Sequence, residues 1–382
     1  MSARWSRMSA VLDAATIPTA ATVATARRRV AVVLFNLGGP DRPEALKPFL
    51  LNLFSDPAIL RVPFFVRPFL ARVIARARVK PASENYALLG GKSPLLELTR
   101  DQAAALQAAL AEPAGDTDTR CFIAMRYWHP FSDEAARAVR DFRPDRVVLL
   151  PLYPQFSTTT TGSSLTAWRE AAARVGLVAE TVTLCCYPTD EAYAHATAAG
   201  VARAYAAARD ALPPATGLRV LFSAHGLPEV IVNGGDPYRY QVESTVAAVM
   251  AAWGASGIDQ AVCYQSRATP QRWIGPSTEE EIERAAHDKV ALLVVPIAFV
   301  SEHSETLVEL DVEYRELADR LGVPGYFRVP AQNSDRGFIA SLAGLVRRAD
   351  AHQRGLCSHL GTGLCPVEHT DCPFHRVSLP GR

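Results

Sequence analysis

The stretch Leu218-Arg-Val-Leu-Phe-Ser-Ala-His-Gly-Leu-Pro228 decides how the chain folds. Its nearly unbroken apolar run marks a strand buried on both faces, as in parallel sheets covered by helices. It then breaks into His225-Gly-Leu-Pro228, a turn at the carboxyl end of that strand. The same plan stands upstream in Val33-Leu-Phe-Asn-Leu-Gly-Gly-Pro40. Two further pairs of segments follow in the same order. Met125-Arg-Tyr-Trp-His-Pro130 parallels Cys263-Tyr-Gln-Ser-Arg-Ala-Thr-Pro270, and Leu149-Leu-Pro-Leu-Tyr-Pro154 parallels Val294-Val-Pro-Ile-Ala-Phe299. Three ordered echoes predict two halves built on one plan.

Working outward, the spacing predicts strands at Val30–Leu37, Cys121–Tyr127, Val147–Tyr153, Leu218–Ala224, Ala261–Tyr264 and Val290–Val300. Helical periodicity lies between them at Glu97–Leu110, Asp133–Phe142, Ala192–Leu212 and Tyr240–Trp253. The expected fold class is α/β: two Rossmann-like, doubly wound parallel-sheet domains facing across a cleft. The expected division is a leader at 1–29, a first domain at 30–175, a second at 176–335, and a C-terminal helix with a Cys-rich tail at 336–382. The first half carries an insertion at about 41–95.

Composition excludes several classes. The chain has 382 residues, 49% hydrophobic and 21% charged, with a formal net charge of +1. No overall field or basic, aromatic-interleaved patch favours nucleic acid. No apolar run reaches the roughly 18 residues needed to span a bilayer. Residues 1–29 are rich in Ala, Thr, Ser and Arg, which suits either an organellar transit peptide or a bacterial leader. Seven cysteines without a secretory signal argue for a reducing compartment. Cys121, Cys185, Cys186 and Cys263 sit in strand-like runs, whereas Cys357, Cys365 and Cys372 crowd into the tail.

Two segments carry the chemistry. His225 ends one buried strand, and Ser301-Glu-His-Ser-Glu-Thr306 follows another, so both lie at the rim where parallel sheets bind ligands. If Ser301–Tyr314 is an α-helix, Glu302, Glu305, Glu309 and Glu313 form a ladder on one face, while Leu307, Leu310 and Tyr314 pack inward. Such a ladder can pass protons or a hydrated divalent cation, or it can be a solvated acidic face. A lone His at a strand tip is often structural; a carboxylate partner makes it a candidate base or metal ligand. Arg126 and Tyr127, the hydroxyl-rich loop from Tyr153 to Ser164, and the loop from Gln265 to Pro276 are suited to a flat, anionic, largely apolar ligand, or are ordinary polar loops. The insertion holds Ile59-Leu-Arg-Val-Pro-Phe-Phe-Val-Arg-Pro-Phe-Leu-Ala-Arg-Val-Ile74, a basic amphipathic segment fit for a membrane interface or for packing on its own domain.

From about Val30 to Asp350 the chain resembles the ferrochelatase family, which inserts ferrous iron into a porphyrin. The likeness lies in Asn36-Leu-Gly-Gly-Pro40, Gly90-Gly-Lys-Ser-Pro94, Arg126-Tyr127, Leu152-Tyr-Pro-Gln155 with Thr161-Gly-Ser-Ser164, Ser223-Ala-His-Gly-Leu-Pro228, Tyr264-Gln-Ser266, Trp273-Ile-Gly-Pro276 and His303-Ser-Glu-Thr-Leu307. The resemblance implies a class II chelatase-like fold and the insertion of Fe²⁺ into protoporphyrin IX with release of two protons. It implies iron binding and proton removal by His225 and Glu305, and an acidic path through Glu309 and Glu313. Arg78, Tyr86 and Ser93 match porphyrin contacts, Tyr127 and Trp273 match pocket walls, and the insertion matches a membrane-facing lip. Alternatives are a coproporphyrin or other tetrapyrrole chelatase, or a porphyrin carrier without turnover. Some members hold a [2Fe–2S] cluster on four cysteines; here Cys357, Cys365 and Cys372 supply three, leaving Cys185, Cys186, Cys263 or a tail His as the fourth. Thr158 stands where the animal enzymes place a Cys. The expected setting is the bacterial cytoplasm, peripheral at the inner membrane, or alternatively the mitochondrial matrix, with the chain a monomer or homodimer.

Overall fold

Nine strands form two parallel sheets in a computed structural model that describes residues 27–111, 115–267, 271–353 and 355–377. The first sheet runs β2-β1-β3-β4-β9, from β1 (Arg28–Asn36), β2 (Thr117–Met125), β3 (Arg146–Pro151), β4 (Glu180–Leu184) and β9 (Gly355–Cys357). The second runs β6-β5-β7-β8, from β5 (Gly217–His225), β6 (Asp259–Gln265), β7 (Val290–Pro296) and β8 (Tyr326–Arg328). Shifted by four strands, the order β2-β1-β3-β4 becomes β6-β5-β7-β8, so the internal echo is a repeat of topology. The expected leader lies outside the described residues as far as residue 26, and its last two arginines, Arg28 and Arg29, belong to β1.

Both faces of each sheet are covered. Along β1, Val30, Val32 and Leu34 face one core with the helices Leu95–Leu110 and Arg336–Ala351. The alternating Ala31, Val33 and Phe35 face another, with the helices Ser132–Phe142 and Ser163–Val175. The second sheet repeats this. Val220, Phe222 and Ala224 point toward the helix Tyr238–Trp253, and Leu221 toward the helices Thr278–Asp288 and Tyr314–Leu321. Period-2 alternation with apolar residues on both sides is why these strands read as continuous hydrophobic runs.

Three expectations need correction. First, the boundary at 175/176 cuts off β4, which pairs with β3 from Arg146↔Glu180 to Leu149↔Thr183. The tail is no separate unit either: β9 pairs with β4 and completes the first sheet. Glu180-Thr-Val-Thr-Leu184 and Gly355-Leu-Cys357 are too short and too polar to announce themselves as strands. Second, the strand expected to reach Val300 stops at Pro296, where the chain turns and the Phe299 amide bonds the Pro296 carbonyl. Third, the repeat partner of Pro130 is Pro276, not Pro270, which lies outside the described residues. The amide of Met125 donates to Pro130 O at 2.8 Å, and that of Tyr264 to Pro276 O at 2.9 Å. Each is followed by a helix whose third-position Glu bonds back to the N-cap amide, Glu134 to Phe131 and Glu280 to Ser277.

The two halves are locked by buried amides. Gln102, fully buried, donates to Val300 O at 2.9 Å and Asn333 O at 3.0 Å. Gln155 reaches across to Thr245 at 3.0 Å, and Gln241 accepts from the Phe156 amide at 2.7 Å.

Candidate active site

His225 sits at the tip of β5, held there by its neighbours. The Gly226 amide bonds Gln265 O at 2.8 Å, and a Cβ on Gly226 would lie 2.9 Å from that same oxygen. Only glycine lets the strand leave β6 so closely. Glu305 opens a π-helix, Glu305–Glu313, beyond β7. The two meet with His225 Nδ1 2.9 Å from Glu305 Oε2.

Burial opposes charge on both groups, and their attraction outweighs it. The Glu305 carboxylate, with Glu309 behind it, holds the imidazole pKa above its ordinary value. The His225 and His303 charges and a Ser266 hydroxyl hold Glu305 well below the usual carboxylate range. Glu309 goes the other way. Burial and repulsion from Glu305 push it up to about 6, despite hydrogen bonds from Gln265 Nε2 at 3.0 Å, Tyr314 at 3.0 Å and Ser266. Burial lowers the pKa of His303, whose ring packs edge-on against Phe299 at 4.5 Å.

The acidic ladder is only partly as expected. Glu302 does not join it: its carboxylate is bonded by Arg328 at 2.9 and 3.2 Å and by the Ala331 amide at 2.8 Å. Asp311 completes that buried pair at 2.7 Å. Glu302 precedes the helix, so α-helical spacing never applied to it. Glu313 is exposed and accepts from Asn85 at 3.1 Å. Tyr314 packs its ring inward as expected, yet its hydroxyl turns back to Glu309. In a π-helix residues i and i+5 share a hydrogen-bonded turn, and 309 and 314 are such a pair.

The other expected contacts divide. Gln265 is fully buried; it accepts from Ser223 at 2.8 Å and donates to Glu305 O at 3.1 Å as well as to Glu309. It positions the carboxylates rather than presenting a ligand surface. Trp273 lies beside His225, with ring centroids 6.5 Å apart. Tyr86 reaches Ser304 at 3.5 Å, and burial with the nearby Glu305 pushes its phenol up to about 12. Ser93 is buried under Gly39, where a Cβ would lie 2.5 Å from the serine oxygen. Arg78 is on the exposed side of the helix Arg67–Ala87.

Arg126 and Tyr127 lie elsewhere. Asp56, nearly buried, accepts from Arg126 at 2.7 Å, Tyr127 at 2.8 Å and Ser163. Tyr127 is fully buried, so its wall role is structural. Arg126 and Asp56 line a cavity of about 450 Å³ with Phe156, Thr158 and Ser163, which shares no lining residue with the His225–Glu305 pair. Burial raises the half-buried Tyr153, whose ring packs with the first-domain core. Sequence reasoning gave no role to Glu279, Asn85 or Asp56, and none to Ser266 beyond its place in the motif Tyr264-Gln-Ser266. Ser266 carried the one usable signal, its place directly after Gln265 at a strand tip.

Five of the seven cysteines converge; Cys121 lies apart on the edge strand β2, and Cys263 in the second sheet. Cys185 and Cys186 sulfurs lie 3.1 Å apart, and Gln241 Nε2 approaches Cys186 Sγ at 3.6 Å and Cys365 Sγ at 3.1 Å. The Cys185 amide bonds Cys357 O, and Cys365 hydrogen-bonds Cys372, whose thiol is lowered to about 6 by that bond and by backbone amides. Cys263 belongs to the second sheet, bonded to Thr278 at 3.2 Å.

Two open parallel sheets with His225 beside an ionised Glu305 at the rim, backed by Glu309 with its pKa pushed up to about 6, fit a metal-handling α/β enzyme. The chain belongs to the ferrochelatase family, whose model matches residues 29–350. It is 51% identical over 346 residues to the ferrochelatase of Caulobacter vibrioides, covering 91% of this chain and 97% of that one. It is 49% identical over 344 residues to that of Phenylobacterium zucineum, covering 90% and 97%. Among solved structures, SirB from Bacillus subtilis with Fe3+ superposes with a TM-score of 0.49 at 12% identity, covering 85% of this chain and 96% of that one. The enzyme is a lyase of haem synthesis that inserts iron into protoporphyrin.

Proposed function

We propose that His225 is the first acceptor of the pyrrole protons and that Glu305 orients the ring and raises its basicity for that task. The observation that carries this is the 2.9 Å contact between His225 Nδ1 and an ionised Glu305. With Nδ1–H donated to the carboxylate, the basic lone pair is on Nε2. The substrate Fe²⁺ enters as a proton leaves, so a site that holds negative charge at Glu305 favours both. Glu309, near its midpoint at neutral pH, takes the proton onward. Metallation of protoporphyrin IX by His225→Ala and Glu305→Gln tests this. Both are expected to lose on the order of 10²-fold or more in kcat; full rates in both would sink it.

The thiol group fits a [2Fe–2S] cluster held by Cys186, Cys357, Cys365 and Cys372. Among the described residues no three Cys, His, Asp or Glu surround one point as a single metal ion requires. A binuclear cluster asks instead for two pairs of thiolates, and Gln241 brings Cys186 and Cys365 onto one donor. Such a cluster would supply a one-electron redox centre and a cross-link between β4, β9 and the tail. Cys263 is too far removed in the fold to serve.

The insertion supports attachment at a membrane surface. Phe64, Phe65 and Phe69 are 78%, 71% and 70% exposed around the start of the helix Arg67–Ala87. Arg61, Arg67, Arg72, Arg76 and Arg78 flank them. Rings outward with guanidinium groups between them suit an interface of acyl chains and phosphate. Among the described residues no helix is long and apolar enough to cross a membrane. Peripheral attachment of the enzyme at a membrane surface is the reading these features favour.

A further inference from the structure

The Tyr314 hydroxyl lies 3.0 Å from Glu309 Oε1 and 3.1 Å from Glu279 Oε1. A phenol carries one hydrogen, and an ionised carboxylate carries none. Were both carboxylates ionised, one of these contacts would set two lone pairs against each other. Two hydrogens satisfy the three oxygens: the phenol's own and one carboxyl proton. Two arrangements then exist. In one, Glu309–OH donates to Tyr314, which donates to Glu279. In the other, Glu279–OH donates to Tyr314, which donates to Glu309. Passing between them breaks the O–H bond at Glu309, forms one at Tyr314, breaks the phenol's original O–H and forms one at Glu279. Two protons each hop one oxygen along, the net transfer is one proton from Glu309 to Glu279, and no heavy atom needs to move.

We propose that Tyr314 and Glu279 form a proton exit from the metallation site, a branch that leaves the π-helix at Glu309 for the helix Thr278–Asp288. The proposal rests on the reading of His225 and Glu305 as the proton-accepting pair. Upstream, the Ser266 hydroxyl bonds Glu309 and also reaches Glu305, so the chain of groups is continuous from His225. Ser266 holds that place with φ of 67°, a left-handed conformation uncommon for a residue with a side chain. Downstream, Glu279 is half-buried in the first turn of its helix, one residue before the exposed Glu280. Glu313, the next carboxylate along the helix, accepts from Asn85, whereas the Tyr314 hydroxyl joins Glu309 to Glu279.

The groups facing this array come from three elements. Glu305, Glu309 and Tyr314 lie on or at the end of the π-helix; Gln265, Ser266 and Cys263 come from β6 and the loop after it. Glu279, Glu280 and Glu281 come from the neighbouring helix, where Arg267 approaches Glu280 at 3.6 Å and Arg284 pairs with Glu281 at 3.0 Å. Burial and the two adjacent carboxylates push the Tyr314 phenol far up, so it stays neutral and passes a proton only by taking another. Tyr314 acts through its hydrogen bonds to Glu309 and Glu279; it is a relay residue.

The test uses the full chain with Fe²⁺ and protoporphyrin IX, comparing Tyr314→Phe, Glu279→Gln and the double variant. Each single variant is expected to lower kcat on the order of 10²-fold, with KM for both substrates unchanged and a larger solvent isotope effect. The double variant is expected to fall no further than the worse single one, because both residues serve one path. Glu279→Gln changes a half-exposed side chain and guards against loss of folding in Tyr314→Phe. Unchanged kcat and isotope effect in folded variants would overturn the relay, as would losses that multiply. His225→Ala in parallel separates the two readings. A full rate there overturns the site; a dead His225→Ala with unaffected Tyr314→Phe and Glu279→Gln overturns the relay alone.

Discussion

His225 and Glu305 stand 80 residues apart in the chain and 2.9 Å apart in space. One ends β5 and the other opens the helix beyond its sheet neighbour β7, so strand pairing from Gly217↔Val290 to Ser223↔Pro296 sets their separation. Each is the main source of the other's charged form, and that mutual dependence can be measured.

The His225 pKa is raised, so its pairing stabilises the fold fully below the ordinary His value of about 6.5 and is lost as pH rises through the raised value. The Glu305 pKa is lowered, so its share is present above about 4.3 and is lost as pH falls through the depressed value. The pair therefore contributes most between these limits. In Glu305→Gln the counter-charge goes while burial stays, and the His225 midpoint should drop below 6.5. Titration of the imidazole by NMR checks it; an unmoved midpoint would show that Glu305 does not set it.

Glu302 and Arg328 separate structure from catalysis. Their side chains are 11% and 9% exposed, so Arg328→Met leaves buried carboxylates without their cation. The expected cost is about 3–5 kcal/mol in urea unfolding. Glu302→Gln should cost less, since Asp311 still faces Arg328, and should leave the metallation rate per folded molecule intact. A loss of rate without a loss of stability would return Glu302 to the acidic path.

The lip predicts lipid binding. Moving a phenylalanine from water to an apolar medium is worth roughly 1.5–3 kcal/mol. Replacing Phe64, Phe65 and Phe69 with alanine should therefore weaken partitioning onto anionic vesicles by on the order of 10²-fold or more. Metallation of detergent-dispersed porphyrin should persist. Equal vesicle binding by parent and triple variant would assign the exposed rings another role.

The cysteines predict a discriminating pair of variants. Cys186→Ser should abolish visible charge-transfer absorption and bound sulfide in purified protein, while Cys263→Ser should leave both unchanged. The reverse result would exclude Cys186 as the fourth ligand.

Read along the chain, residues Leu218–Pro228 and their upstream echo already carried the two parallel sheets, because unbroken apolar runs ending in glycine turns have few other uses. His225 stood out in the sequence as a polar residue ending a buried run, and Glu305 and Glu309 as carboxylates spaced along the segment that follows another. Folding was needed wherever long-range pairing or a change of helical period intervened. β4 and β9 are strands only because they complete a sheet, and β9 brings the tail thiols to Cys185 and Cys186. Glu302 lies before the π-helix and pairs with Arg328, which comes from β8, while the π turn brings the Tyr314 hydroxyl to Glu309 five residues back. Hydrophobic patterning is local and survives in one dimension, whereas a hydrogen-bond partner is chosen by geometry that exists only once the sheets are assembled.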